Sequence, residues 1–195
     1  TQIIRYTAYW VVASVMIGLI SGLSSSLIFV CFDLANQTRI SYPWLVYFLP
    51  FIGLLIGYLF YYYGTPIEKG THLLIDEIHH PRAFIPKRMT PLVFFTAILT
   101  QIFGGSAGRE APAVQLSGAL TDHITQAFRV PGDNRKIFLI ASIGSGFAAI
   151  FGLPLAGAIY GLEITALGKL RYSAVFPCFV SALVASQIPE LFHIS

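Results

Sequence analysis

The chain has 195 residues, of which 55% are hydrophobic and 11% charged, against about 25% charged in an ordinary soluble domain. A net charge of +3, with basic residues that form no stripe interleaved with aromatics, excludes a nucleic-acid partner. Mean hydropathy is +0.72, and the apolar residues come in long runs without the i, i+3, i+4 pattern of a surface helix. Together these features exclude a soluble fold and indicate an integral membrane protein.

Residues 7–32 carry no charge, enough to cross a bilayer at roughly 20 residues per span. Backbone groups in lipid must be satisfied within their own segment, so a helix is predicted from Tyr6 to Phe32. Strand alternation for a barrel is absent. The run is too long for the apolar region of a signal peptide and lacks a small-residue cleavage site. A start at Thr1 rather than methionine reads as a trimmed N-terminus.

A second helix is predicted from Trp44 to Tyr63, its aromatic end (Phe60 to Tyr63) suited to the headgroup boundary. The polar stretch "GTPIEKGTHLLIDEIHHPRAFIPKRMTP" follows, with Pro66, Pro81, Pro86 and Pro91 and a short helix from Leu73 to His79. Asp76 and Glu77 are expected in a solvated loop. The next helices are predicted at Thr90–Phe103 and from Pro112 to Phe128, with Asp122 at an interface where the 112–121 helix ends. "VPGDNRK" is a turn, Asp133 or Asn134 being placed to cap a helix from Asn134 to Phe151. Pro154–Leu167 and Tyr172–Ile188 complete the set. Several pieces are too short to cross alone and read as broken or re-entrant helices, tolerated where they are buried in protein or line a wet cavity. The expected fold is an all-α membrane bundle, residues 1–195 forming a single domain.

Basic residues set the expected orientation. Arg5, Lys69, Arg82, Lys87 and Arg88 fall on one side and Arg39 on the other, which places the N-terminus and the 64–89 loop in the cytoplasm of a multi-pass protein of a cell (inner) membrane. Glycines at spacing four (Gly18/Gly22, Gly53/Gly57, Gly104/Gly108, Gly157/Gly161) allow close helix approach and say nothing about substrate. Cys31 and Cys178 read as buried thiols. His79, His80 and His123 lack a carboxylate or cysteine at metal-ligand spacing, so neither metal nor cofactor is expected.

The chemistry lies at glycine-rich breaks that precede helix starts: "KGTHLL" (69–74), "GGSAGREAP" (104–112) and "FGLPLAG" (151–157). A helix N-terminus in a low-dielectric interior offers free N–H groups and partial positive charge, and glycine lets an ion approach the backbone. Such a site holds an anion without a full positive charge that would trap it. Glu110, an ionisable residue at one of these starts, competes for the same N–H groups when charged and leaves when protonated, which makes it both gate and proton carrier. Arg109 is expected to reach backbone carbonyls or another carboxylate. Ser106 and Ser145 could donate to an anion or serve helix packing, and His72 is expected at a loop or interface.

"GSAGREAPAVQLSGAL" and "FGLPLAGAIYGLE" resemble the CLC family of anion channels and anion/proton antiporters, whose signature reads Gly-Lys/Arg-Glu-Gly-Pro. The resemblance covers nearly the whole chain as the first of two inverted halves of a CLC subunit. It implies a CLC-type bundle of tilted, broken and re-entrant helices, with Glu110 as the external gating glutamate. Chloride types place Gly-Ser-Gly-Ile-Pro before the first anion-facing helix; here "GTHLL" puts Thr71 in the serine's place. The inner proton glutamate of chloride/proton antiporters falls on Ile164, after Glu163, which matches the first, structural member of that pair. Both departures look like the fluoride-transporting branch, while "REAP" keeps the proline of the chloride signature. The implied anion-binding set is Gly70, Thr71, Gly108, Arg109, Glu110 and Ala111, with Pro112, Pro154 and Glu163 structural.

The expected function is fluoride export in exchange for protons. The alternatives are a chloride channel or chloride/proton antiporter of the same family, and an incomplete subunit that folds and dimerises without transport. The partners implied are fluoride or chloride, protons, the lipid bilayer and a second copy in a homodimer. The dimer face is expected on 153–167 and 172–188, with Gly157, Ala158 and Gly161 giving a small-residue face and Leu162, Leu167, Phe176 and Phe179 giving bulk. No G-x-G-x-x-G or G-K-[ST] motif supports an enzyme that binds nucleotide.

Overall fold

The computed structural model describes residues 2–65, 67–79, 84–164 and 171–192. Pro66, His80, Pro81, Arg82 and Leu167, named above, lie outside the described residues. The chain forms α1 (Gln2–Ser41), a 3-10 turn (Pro43–Phe48) leading into α2 (Leu49–Tyr63), and a second 3-10 turn (Ile67–Lys69) before α3 (Thr71–His79). Then come α4 (Met89–Ile102), α5 (Glu110–Ala127), α6 (Gly132–Phe151), α7 (Pro154–Ile164) and α8 (Tyr172–Leu191). No strand occurs among the described residues. By length and composition, Ile4–Ser41, Pro43–Tyr63 and Tyr172–Leu191 are able to cross a membrane.

α1 departs most from expectation. The prediction ended it at Phe32, where the apolar run ends; the helix continues to Ser41. No glycine or proline intervenes before Pro43, and the polar turns support themselves. Gln37 donates to Asp33 at 2.8 Å, Arg39 to Asn36 at 2.7 Å, and the Thr38 hydroxyl to the Leu34 carbonyl at 2.8 Å. At 1.5 Å per residue the helix is about 60 Å long, about twice the hydrocarbon thickness.

α6 is the hub, packing against α1, α5, α7 and α8. Its Leu139, Ile140, Ala141 and Ile143 are fully buried. Glycines set the closest approaches. A Cβ on Gly161 would lie 2.8 Å from the Ile140 carbonyl oxygen, and one on Gly144 2.7 Å from that of Gly157. Gly18 and Gly22 seat α1 on Val184 and Ile188 of α8. Two expectations change here. Gly157, Ala158, Gly161 and Leu162 are buried in this chain, and both glycines are spent against α6, so they offer no free small-residue face to a second copy. A Cβ on Gly53 or Gly57 would meet no other part of the described residues within 4 Å, so this pair makes no close helix contact among them.

Polar seams join the interior helices. Ser145 donates to Ser21 at 2.8 Å, and Ser24 and Ser117 lie 3.3 Å apart. Ser145 also bonds the Ala141 carbonyl, so it serves packing. The largest correction concerns the acidic residues. Asp76 is exposed and pairs with Lys69, but Glu77 is buried. Asp122 does not end a helix at an interface; it lies inside α5, fully buried. Both carboxylates meet Arg135 of α6. Arg135 Nε and Nη2 reach Asp122 at 2.6 and 3.0 Å, and Nη1 reaches Glu77 at 3.3 Å. The Ile85 N–H donates to Asp122 at 2.7 Å, and the guanidinium lies 4.8 Å from the Phe84 ring centre. α6 itself starts after Pro131, with no side-chain cap from Asp133 or Asn134.

Candidate functional site

α4 ends at Ile102, and Gly104 takes a left-handed conformation (φ 83°) that turns the chain into the 105–109 loop. α5 begins at Glu110 with Arg109 as its N-cap and no side-chain cap bond, so no capping side chain occupies its first N–H groups. Pro112 occupies the first turn, where a missing N–H costs nothing. The Glu110 carboxylate folds back over Gly108, its Oε2 lying where a Cβ on residue 108 would be. Glycine at 108 is therefore what admits the folded-back carboxylate.

Gly108, Arg109, Glu110 and Ala111 are all exposed. The first three open on a cleft of about 590 Å³ whose other wall is the polar extension of α1, with Asp33 and Asn36, and whose floor includes Gln101. The expected carbonyl or carboxylate partner of Arg109 is not found among the described residues; its guanidinium instead stacks 4.8 Å from the Phe29 ring centre. It thus edges the cleft packed on Phe29.

The second expected element begins at Thr71. Gly70 takes φ 57°, its N–H bonds the Ile67 carbonyl at 2.8 Å, and its own carbonyl accepts from Leu73 at 3.1 Å, which starts α3. Gln115 of α5 donates through Nε2 to Thr71 Oγ1 at 3.3 Å. Thr71 and Glu110 are thus both tied to α5, with Gln115 five residues, or about 7.5 Å of helix rise, below Glu110. The structure joins these two breaks through one helix at two depths. The third break stands apart: Leu153 and Leu155 are exposed, and α7, which Pro154 begins, packs against α6 and α8 outside the cleft. Glu163 is exposed near the end of α7.

Sequence reasoning missed the cleft's far wall and Gln115. Asp33 and Asn36 follow the end of the apolar signal, so the sequence alone reads them as connection. Gln115 stood inside the quoted motif as a lone amide among apolar neighbours, a signal that was present and unused. Arg135 was visible only as one basic residue in a turn.

Residues 52–194 match the family model described as voltage gated chloride channel. The chain is 41% identical over 189 residues to a chloride/fluoride channel protein of Pseudomonas syringae pv. tomato, covering 97% of this chain and 42% of that protein. It is 27% identical over 192 residues to the H(+)/Cl(-) exchange transporter ClcA of Vibrio vulnificus, covering 89% of this chain and 40% of that one. A crystal structure of a CLC-type fluoride/proton antiporter superposes with a TM-score of 0.89 at 29% identity, over 97% of this chain and 48% of that chain. The chain spans less than half the length of these relatives. It belongs to the voltage gated chloride channel family and has the all-helical fold of the CLC antiporter.

Proposed function

We propose that this CLC-family chain carries the outer gate and part of the ion path of a fluoride/proton antiporter that exports fluoride. The observation that carries this reading is the placement of Glu110: first residue of α5, folded over Gly108, facing an open polar cleft. Charged, a carboxylate so placed competes with an anion for the uncapped N–H groups of the helix start. Protonated, it has no reason to stay, swings into the cleft and admits the ion. One residue thereby links anion passage to proton passage. Gly70, Thr71, Gly108, Arg109 and Ala111 complete the anion-binding set, with Pro112 and Pro154 fixing helix starts and Glu163 in a structural role.

Basic-residue asymmetry supports a cytoplasmic N-terminus in an inner-type membrane. Asp33 then lies about 42 Å along α1 from Arg5, which puts the cleft and Glu110 on the outer side. Fluoride is favoured by Thr71 in place of serine and by Ile164 at the inner proton position. The name of the 41%-identical relative includes fluoride. Chloride/proton exchange is the second reading, favoured by Pro112 of the chloride signature. With Gly157 and Gly161 used internally, a homodimer would draw on exposed bulk along α7 and α8, such as Ile159, Phe176 and Leu183.

The test is flux from proteoliposomes holding the full-length protein, with fluoride, chloride and pH recorded together. Glu110→Gln is expected to keep or raise anion flux and to lose the coupled proton movement. Coupled proton movement that persists unchanged in Glu110→Gln removes the gate from the mechanism.

A further inference from the structure

We propose that Gln115 is a positioning residue that sets the direction of the Thr71 hydroxyl and thereby the anion preference of the inner end of the path. The inference rests on the transport reading above. A threonine hydroxyl has one proton to give and two lone pairs to accept with. Gln115 Nε2 donates to Thr71 Oγ1 at 3.3 Å and so occupies a lone pair. Among the described residues this is the only hydrogen bond of the Thr71 side chain, so its proton is left to point away from the amide. Gly70 makes room for the arrangement, since a Cβ there would come within 3.1 Å of the same Nε2.

The hydroxyl therefore stands at the start of α3 as a donor held from behind. A directed O–H favours a small, strongly hydrogen-bonding anion over a larger, softer one. Fluoride should depend on this alignment more than chloride. Thr71 would touch the ion; Gln115 would act only through it. A methionine at 115 keeps the shape and removes the donor. A glutamate keeps the shape and accepts the Thr71 proton, taking it from the ion.

The experiment measures fluoride and chloride flux against concentration in proteoliposomes of the full-length protein. The variants are Gln115→Met, Gln115→Glu, Thr71→Val and the Gln115→Met/Thr71→Val pair. Gln115→Met is expected to raise the half-saturating fluoride concentration about five-fold, the worth of one neutral hydrogen bond, with maximal flux unchanged and chloride less affected. Gln115→Glu is expected to lose fluoride preference further. In the Thr71→Val background Gln115→Met should add nothing, because the hydroxyl it acts through is gone. Equal losses for both anions, or additive losses in the pair, would overturn the inference while leaving the transport reading standing. A wild-type protein that carries neither anion overturns both.

Discussion

Arg135→Leu should be among the most destabilising single changes in the chain. Asp122 is fully buried and accepts from Arg135 Nε at 2.6 Å, Arg135 Nη2 at 3.0 Å and the Ile85 N–H at 2.7 Å. Glu77 retains only 11% of its side-chain exposure. Leucine at 135 takes away the cation that both buried carboxylates contact. Breaking one side of such a buried group costs about 3–5 kcal/mol, which for a chain of this size lowers the unfolding midpoint by roughly 10 °C. Removing all three charges together, in Glu77→Gln/Asp122→Asn/Arg135→Leu, should recover part of that loss, because the buried carboxylates lose their charge along with their cation. The assay is thermal unfolding in detergent followed by tryptophan fluorescence. Trp10 packs on Phe138 of α6 and reports this region directly. A midpoint for Arg135→Leu within about 2 °C of wild type would refute the assignment of a buried, stabilising triad.

Gly108→Ala should mimic part of the gate variant. Its Cβ would fall on the Glu110 carboxylate, so proton coupling measured by pH electrode should weaken while the protein still folds. Gly161→Ala should instead lower thermal stability by about 1–3 kcal/mol without changing ion ratios, because its Cβ would come within 2.8 Å of backbone atoms on α6. Thr71→Ser should shift the fluoride-to-chloride flux ratio toward chloride. The change is made alone, leaving Leu74 buried against Gly118. An unmoved ratio would reduce the 70–74 stretch to a turn.

Helix existence was legible along the whole chain because uncharged runs and prolines mark it directly. Pro112 and Pro154 were placed in the first turns of their helices, and both lie there. Boundaries failed where the hydrophobic signal and the helix part company. α1 runs nine residues past its last apolar block because i, i+3 and i+4 side-chain bonds replace burial as its support. The glycine pairs could be seen, but not which of them are used. Gly53/Gly57 and Gly157/Gly161 have the same spacing, yet only the second pair meets another helix. Spacing states that close approach is allowed; only the presence of Gly144 opposite, on the preceding helix α6, makes it happen.

The same distinction separates the parts of the candidate site. Glu110 stood out because its whole reason is local: a carboxylate, a preceding glycine and a following helix start. Gln115, Asp33 and Arg135 matter only through partners that are distant in sequence. Gln115 needs Thr71, forty-four residues earlier. Arg135 needs Glu77, fifty-eight residues earlier, and ties α3 to α6 while Asp122 holds the Ile85 segment to α5. This links the buried triad, through α3, to Thr71 of the proposed anion site. Glu77 lies at the far end of the same short helix whose first residue is Thr71. A change that separates Glu77 from Arg135 removes one of the contacts holding that end of α3, while the Thr71–Gln115 bond remains at the other end. Loss of the triad should therefore disturb anion preference as well as stability, whereas loss of the Gly161 contact should disturb stability alone.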